Sequence, residues 1–218
     1  MNPEHLRTIH FSLETVYPPI MQMEKNQLTE LYGSINQRYH YSNFALIQNG
    51  AVFSEQDISV CQVLRDRINF KEENLQANIQ IYKEKAIDIL KMTQTKFAIP
   101  VFVFQAVTLR GLWDCDPETN SADFIRDRFL KIEPQEVEML ERPLRGVGLR
   151  FNSPKPEETF DFKIEPWFRD LKNLFIELRG EFLHPINNLE LAERRVEQTY
   201  DYLFNKISGF IALPDKPI

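Results

Sequence analysis

The tripeptide Leu-Arg-Gly occurs three times in this chain, within VTLRGLW at 107–113, RPLRGVGLRF at 142–151 and FIELRGEF at 175–182. An arginine ending an apolar, strand-like run suits anion binding, because its guanidinium presents a planar fork of donors to a carboxylate or phosphate. The same position equally suits an ion pair to a neighbouring strand. Arg110 shares parity with Phe102, Phe104, Ala106, Thr108 and Leu112, and Trp113 follows three residues on. Arg110 and Trp113 are therefore candidate ligand-binding residues at a pocket mouth. The alternative makes Arg110 a structural partner of an acid at a nearby strand end, with Asp66, Asp114 and Glu165 as the candidates. Arg150, opposite Leu149 and Phe151, joins the candidate ligand-binding set. Arg179 stands with Glu177 and Glu181, the pattern of cross-strand ion pairing.

Other chemistries find less material. Metal sites need several His, Cys, Asp or Glu converging at short spacing. His5, His10, His40 and His184 are scattered, and neither HxxxH nor HExxH occurs. Cys61 in VCQVL reads as a buried, inert thiol, and Cys115 stands between Asp114 and Asp116, where a thiolate is disfavoured. There is no GxSxG. The close glycine pair Gly146 and Gly148 leads into a strand rather than a helix, so it reads as a turn and not a phosphate loop. The expectation is no metal, no cofactor and no identified catalytic set.

Composition narrows the class. The chain has 218 residues, 43% hydrophobic and 27% charged, with 17 Phe against 7 Gly, which favours packed sheets and helices over long loops. A net charge of −6 argues against nucleic acid or an anionic membrane as partner. The arginines between 126 and 150 are interleaved with acids, a solvated surface and not a basic stripe. MNPEHLRTIHF lacks a signal-peptide pattern, the apolar run Phe97–Phe104 is too short to span a bilayer, and no CxxC occurs. A cytoplasmic protein with free thiols is expected.

These residues must be positioned by regular elements. Alternation predicts a strand over 6–14, with Arg7, Ile9, Phe11 and Leu13 on one face. Helical spacing follows over 20–37. Strands are predicted over 43–53, with Asn49-Gly50 as a bulge or turn, and over 59–70. A long amphipathic helix over 72–94 carries Leu75, Ile79, Tyr82, Ala86, Ile89 and Leu90. The run 97–113 reads as a central strand. Asp116-Pro117 offers a cap for a helix over 118–131, and Glu133-Pro134 starts a shorter one. Strands around 147–151, 160–164 and 174–182 then precede a helix from about Asn187 to Ile207, and the tail 213–218 reads as loose.

The expected fold is α+β with mainly antiparallel sheets. A split-βαβ, ferredoxin-like half over 1–113 is followed by a helical connection and a β-β-β-α half over 114–212, as one continuous unit with a pseudo-repeat. The strings LRDRINFKEEN and VGLRF…FDFKIEPWFRDLKNLFIELRGEF resemble a scattered group of bacterial proteins of unassigned function. In that group an RP…VGLRF strand precedes an IEP…D…LFIE pair, matched here by Arg142-Pro143, Val147 to Phe151, Ile164-Glu165, Asp170 and Leu174 to Glu177. The resemblance implies a bacterial, intracellular protein and no activity. The leading functional expectation is a non-catalytic binding or assembly module, with a second copy or another protein as its partner. The alternative is a binder or enzyme for an anionic, partly apolar small molecule near Arg110 and Trp113.

Overall fold

The computed structural model describes residues 5–56, 58–73, 78–115, 118–130 and 132–212. Strand β1 (Leu6–Val16) leads to α1 (Lys25–Asn36) and then to a four-strand meander, β2 (Asn43–Ile47), β3 (Gly50–Glu55), β4 (Ser59–Leu64) and β5 (Arg67–Glu73). Helix α2 (Ile79–Phe97) connects to β6 (Phe104–Asp114). Next come α3 (Ser121–Ile125), a π-helical turn over Arg126–Leu130, and α4 (Pro134–Glu138). Strands β7 (Leu149–Lys155), β8 (Glu158–Pro166) and β9 (Asn173–Phe182) precede α5 (Leu189–Asp201). A second π-helical turn, Tyr202–Ile207, joins α5 to α6 (Ser208–Ala212). The chain is α+β, with one sheet in the order β2-β3-β4-β5-β1-β6-β9-β8-β7. Every neighbouring pair is antiparallel.

The two runs expected as single strands after α1 each fold into a hairpin. Gln48-Asn49 reverses the first, closing Ile47 against Gly50. Arg65-Asp66 reverses the second, and the residue that follows β1 holds that turn: the Tyr17 backbone N–H donates to the Asp66 carbonyl at 2.9 Å, while its hydroxyl donates to the Leu64 carbonyl. At the start of β1 a register shift between Thr8 and His10 breaks the predicted alternation. Leu6 is consequently buried and Arg7 exposed. Helix α2 begins at Ile79, because Arg67–Glu73 continue the sheet as β5. Its cap is Asn78, whose side chain accepts from the Gln80 N–H. Leu75, the Asp116-Pro117 pair and the tail 213–218 lie outside the described residues. Asn120 caps α3 and Asn188 caps α5, each accepting an N–H two residues on.

Helices α1, α2 and α5 pack on one face of the sheet, α1 on β3, α2 on β1 and β5, and α5 on β6 and β9. Phe11 and Leu13 of β1, Phe53 of β3, Phe70 of β5, Leu109 of β6 and Leu178 of β9 meet Leu31, Ile89 and Val196 there in one continuous core. Each such side chain contributes about 1.5–3 kcal/mol by leaving water. Strand β6 pairs with β1 on one side and β9 on the other, so both halves of the chain share this sheet.

Gly50 is a position that no other residue fits. Its φ is +154°, and a Cβ there would stand 2.0 Å from the Val63 carbonyl oxygen, which is backbone and cannot turn aside. Gly50→Ala is expected to lower stability by about 2 kcal/mol or more, read as a shift in the urea unfolding midpoint.

Candidate functional site

The face of the sheet turned away from the helices carries the arginines singled out by sequence. Arg110 on β6 stands directly opposite Glu177 on β9, and Glu177 directly opposite Lys163 on β8. Arg110 Nε is 2.6 Å from one Glu177 oxygen and Lys163 Nζ 2.8 Å from the other. Partial burial acts to raise the Glu177 carboxyl, but hydrogen bonds and charge from Lys163 and Arg110 outweigh it and hold the group below its ordinary range. Arg150 on β7 continues the row opposite Lys163 and forks onto Asp161, with three contacts of 2.9–3.0 Å.

A second chain of charge crosses the middle of the same face. Glu14 on β1 contacts Arg67 on β5 at 3.0 Å and reaches Arg179 on β9 at 3.3 Å, although β6 lies between β1 and β9. The reach is allowed because β6 places the short Ala106 and Thr108 beneath it, opposite Glu14 and Arg179 respectively. Arg179 also pairs with Glu181 at 2.7 Å. Nearby, His10 Nδ1 is 3.0 Å from Glu73, and burial draws this imidazole below its ordinary pKa.

The structure brings Arg110 and Arg150 to one face but does not bring Trp113 to them. Trp113 has the opposite parity on β6 and is 0% exposed within the core, so it cannot form a pocket mouth with Arg110. The acid that meets Arg110 is Glu177, not Asp66, Asp114 or Glu165. Asp66 is taken by Arg67 at 2.9 Å. The reason is register: Glu177 stands directly across the ladder from Arg110, and a place at a strand end does not specify that opposition. Cys61 is buried, and burial pushes its thiol up to about 12, which removes it as a nucleophile at neutral pH.

One constellation escaped the sequence reading. Lys85 on α2 places its Nζ 2.7 Å from Glu72 Oε1 and 2.8 Å from Ser59 Oγ, over the Tyr41 ring at 4.6 Å. Ser59 Oγ also bonds Glu72, at 2.7 Å. A serine beside a lysine is a nucleophile–base pair when the amine is neutral and the hydroxyl is open to a substrate. Here Glu72 occupies the amine as a charge partner, and both Ser59 and Glu72 are buried. The group therefore ties α2 to β4 and β5. Its signal in the sequence was Glu72 sharing parity with Ile68 and Phe70, a charge on the core face.

The two edges of the sheet differ. Outer strand β7 carries Arg150, Pro154 and Lys155, the devices that discourage edge pairing. The closing pair Lys155 and Glu158 of its hairpin places Pro154 at a position whose N–H would point outward. Outer strand β2, Asn-Phe-Ala-Leu-Ile, has no charge and no proline. Leu46 is 43% and Ile47 45% exposed. By the same alternation from the closing pair Ile47 and Gly50, Phe44 and Leu46 direct their N–H and C=O groups outward. Phe44 is fixed by stacking on Tyr32 of α1, with ring centroids 4.7 Å apart.

Among the described residues no cluster of three metal-ligating side chains occurs, and no helix is long and apolar enough to cross a membrane. No family model matches the chain, and no curated protein matches it. Among solved structures it is similar to a rolling circle replication initiator protein from Geobacillus stearothermophilus, at 8% identity and a TM-score of 0.33, over 88% of this chain and 79% of that one.

Two outcomes test these charge networks. Lys85→Ala leaves Glu72 buried without its cation and is expected to cost about 3–5 kcal/mol in denaturant unfolding, with most of it recovered in Lys85→Met combined with Glu72→Leu. Arg110→Ala is expected to cost only about 1 kcal/mol, because Arg110 is partly exposed and Lys163 remains on Glu177. With the Glu177 pKa depressed on folding, its contribution is present above the ordinary carboxylate pKa and is lost as pH falls through the folded value. Glu177→Gln should therefore lower the melting temperature at neutral pH and flatten its decline in acid.

Proposed function

We propose that this chain is a non-catalytic assembly module that pairs with a second copy of itself through the free edge of β2. The observation that carries this reading is the contrast between a charged, proline-bearing β7 and an uncharged, apolar β2. An exposed apolar edge strand templates pairing with another chain. Two β2 strands set antiparallel about a two-fold axis at Ala45 form a self-complementary ladder. Phe44 then faces Leu46 of the second copy, and each supplies the outward N–H and C=O that the other lacks. The central pair is Ala45 with its own copy, a non-hydrogen-bonded position where strands approach most closely and a small side chain fits. No like charges oppose one another anywhere along it.

The topology supports the same role. We read β1, β4, β5 and β6 with α1 and α2 as a split βαβ plan, with β2 and β3 as an inserted hairpin. We read the insertion as the element that supplies the assembly edge. A net charge of −6 and the paired state of the open-face arginines favour a protein partner over nucleic acid, and the free thiols fit a cytoplasmic setting.

The test is mass in solution by light scattering across a concentration series. The native chain should run at twice its 25.8 kDa. Ala45→Lys places two like charges across the axis and should raise the dissociation constant by at least about tenfold while leaving the helical circular dichroism unchanged. A native chain that stays monomeric at the highest soluble concentration, or an Ala45→Lys variant as dimeric as the native chain, would overturn the proposal.

A further inference from the structure

Arg195 is the one arginine among the described residues that belongs to the buried set, at 5% exposure. It sits on the sheet-facing stripe of α5, beside Ala192, Val196 and Thr199. Its Nη2 donates to the His184 carbonyl at 2.7 Å, and its guanidinium lies over the Phe182 ring at 5.1 Å. Nη1 is buried and has no hydrogen-bond partner. Among the described residues no carboxylate stands within ion-pair distance of it. Burial pulls the Arg195 pKa down, and the more distant Glu157 and Glu158 only partly offset that. A guanidinium removed from water without a counter-charge is among the least favourable arrangements a core can hold.

A cavity of about 550 Å³ adjoins this group, between α5 and the β7–β8 turn. The size suits a small organic ligand. Phe182, Leu191 and Pro156 give it apolar surface, and Arg194 lines it as well. Two acids stand at its rim. Glu158 is held by Lys155 at 2.7 Å and by the Gln198 amide at 2.8 Å, and Glu157 lies 3.4 Å from His184 Nδ1. Of the cations that line it, Arg194 and Arg195 have no ion pair among the described residues.

We propose that this cavity binds a small monocarboxylate with an apolar body, its carboxylate on Arg195 Nη1 and Arg194 and its body against Phe182 and Leu191. One uncompensated charge at depth calls for one negative charge. A phosphate dianion would instead bring its second charge against Glu157 and Glu158. Gln198 lines the cavity together with Arg195, and its side-chain bond to Glu158 is a surface contact. This site does not involve β2 and does not depend on the assembly reading.

Benzoate is the probe, followed by isothermal titration calorimetry and by thermal melts on the full chain at fixed ionic strength, with chloride and inorganic phosphate as comparators. Benzoate is expected to bind saturably and raise the melting temperature, and phosphate to bind more weakly or not at all. Arg194→Gln should weaken benzoate about tenfold, the effect of one charge-assisted contact. Arg195→Met should abolish binding, and Glu157→Gln should leave it unchanged or tighter. Should Arg195→Met fail to fold, the Arg194 and Glu157 variants decide the matter alone. Absence of saturable benzoate binding, phosphate binding as tight as benzoate, or native affinity in Arg194→Gln would each overturn the proposal. So would loss of binding in Glu157→Gln, because removing a rim anion can only favour a carboxylate bound on Arg195.

Discussion

Everything in this molecule depends on β1 being threaded between two strands that the chain makes much later. Its partners β5 and β6 lie roughly sixty and one hundred residues downstream and are joined to each other by α2. For β1 to occupy the gap, that connection must arch over it, and α2 accordingly packs on β1 and β5. The helical cover is thus a consequence of the strand order. Once α2 is fixed over one face, apolar side chains of β1, β5 and β6 must turn toward it, and their alternate residues are left to the opposite face. Loop-closure entropy opposes such distant pairings, so the apolar burial under α2 has to outweigh it.

The opposite face is held by charge instead. Rows of alternating sign run across the strands, Arg110, Glu177 and Lys163 in one and Arg67, Glu14 and Arg179 in another. Each partly exposed pair contributes little to stability. A slip of one residue, however, would turn every member of a row into the core, so the rows specify register more than they add free energy. The contact of Glu14 with Arg179 shows how fine this specification is, since it needs short side chains on the strand between. On the covered face, the Lys85, Glu72 and Ser59 group does the corresponding work for α2, fixing where the helix sits along β4 and β5.

Local patterning made much of the fold legible. The second-half strands, the apolar stripes of α2 and α5, and the ion-pairing face of Arg179 could be read from period-two and period-3.6 spacing. What spacing does not encode is pairing across the sheet. Glu177 could not be assigned to Arg110, because their opposition is a property of β6 lying beside β9. The shift at Thr8 and His10 inverted the start of β1 for a similar reason: alternation is silent about an extra residue. The reversal at Gln48-Asn49 lies beside the marked Asn49-Gly50 signal, whereas Arg65-Asp66 is a turn of two charged residues, too brief to interrupt an apolar average. The candidate site suffered most. Trp113 was joined to Arg110 by nearness in sequence, while parity on the strand already separated them, and Arg195 is hidden within a helix stripe where an arginine looks like ordinary surface.

Under the proposed pairing through β2, the unlike edges of the sheet set a stoichiometry. An object that can be extended on both sides grows without limit, and amyloid is the extreme case. A sheet with one receptive side has a valence of one. When two such sheets join by the same edge, each consumes the other's only vacancy, and β7 on either flank offers nothing to a third. Closure of this kind is what separates a symmetric pair from a fibre. Pro154 and the cations around it therefore protect the far end of the molecule from the property that β2 displays at the near one.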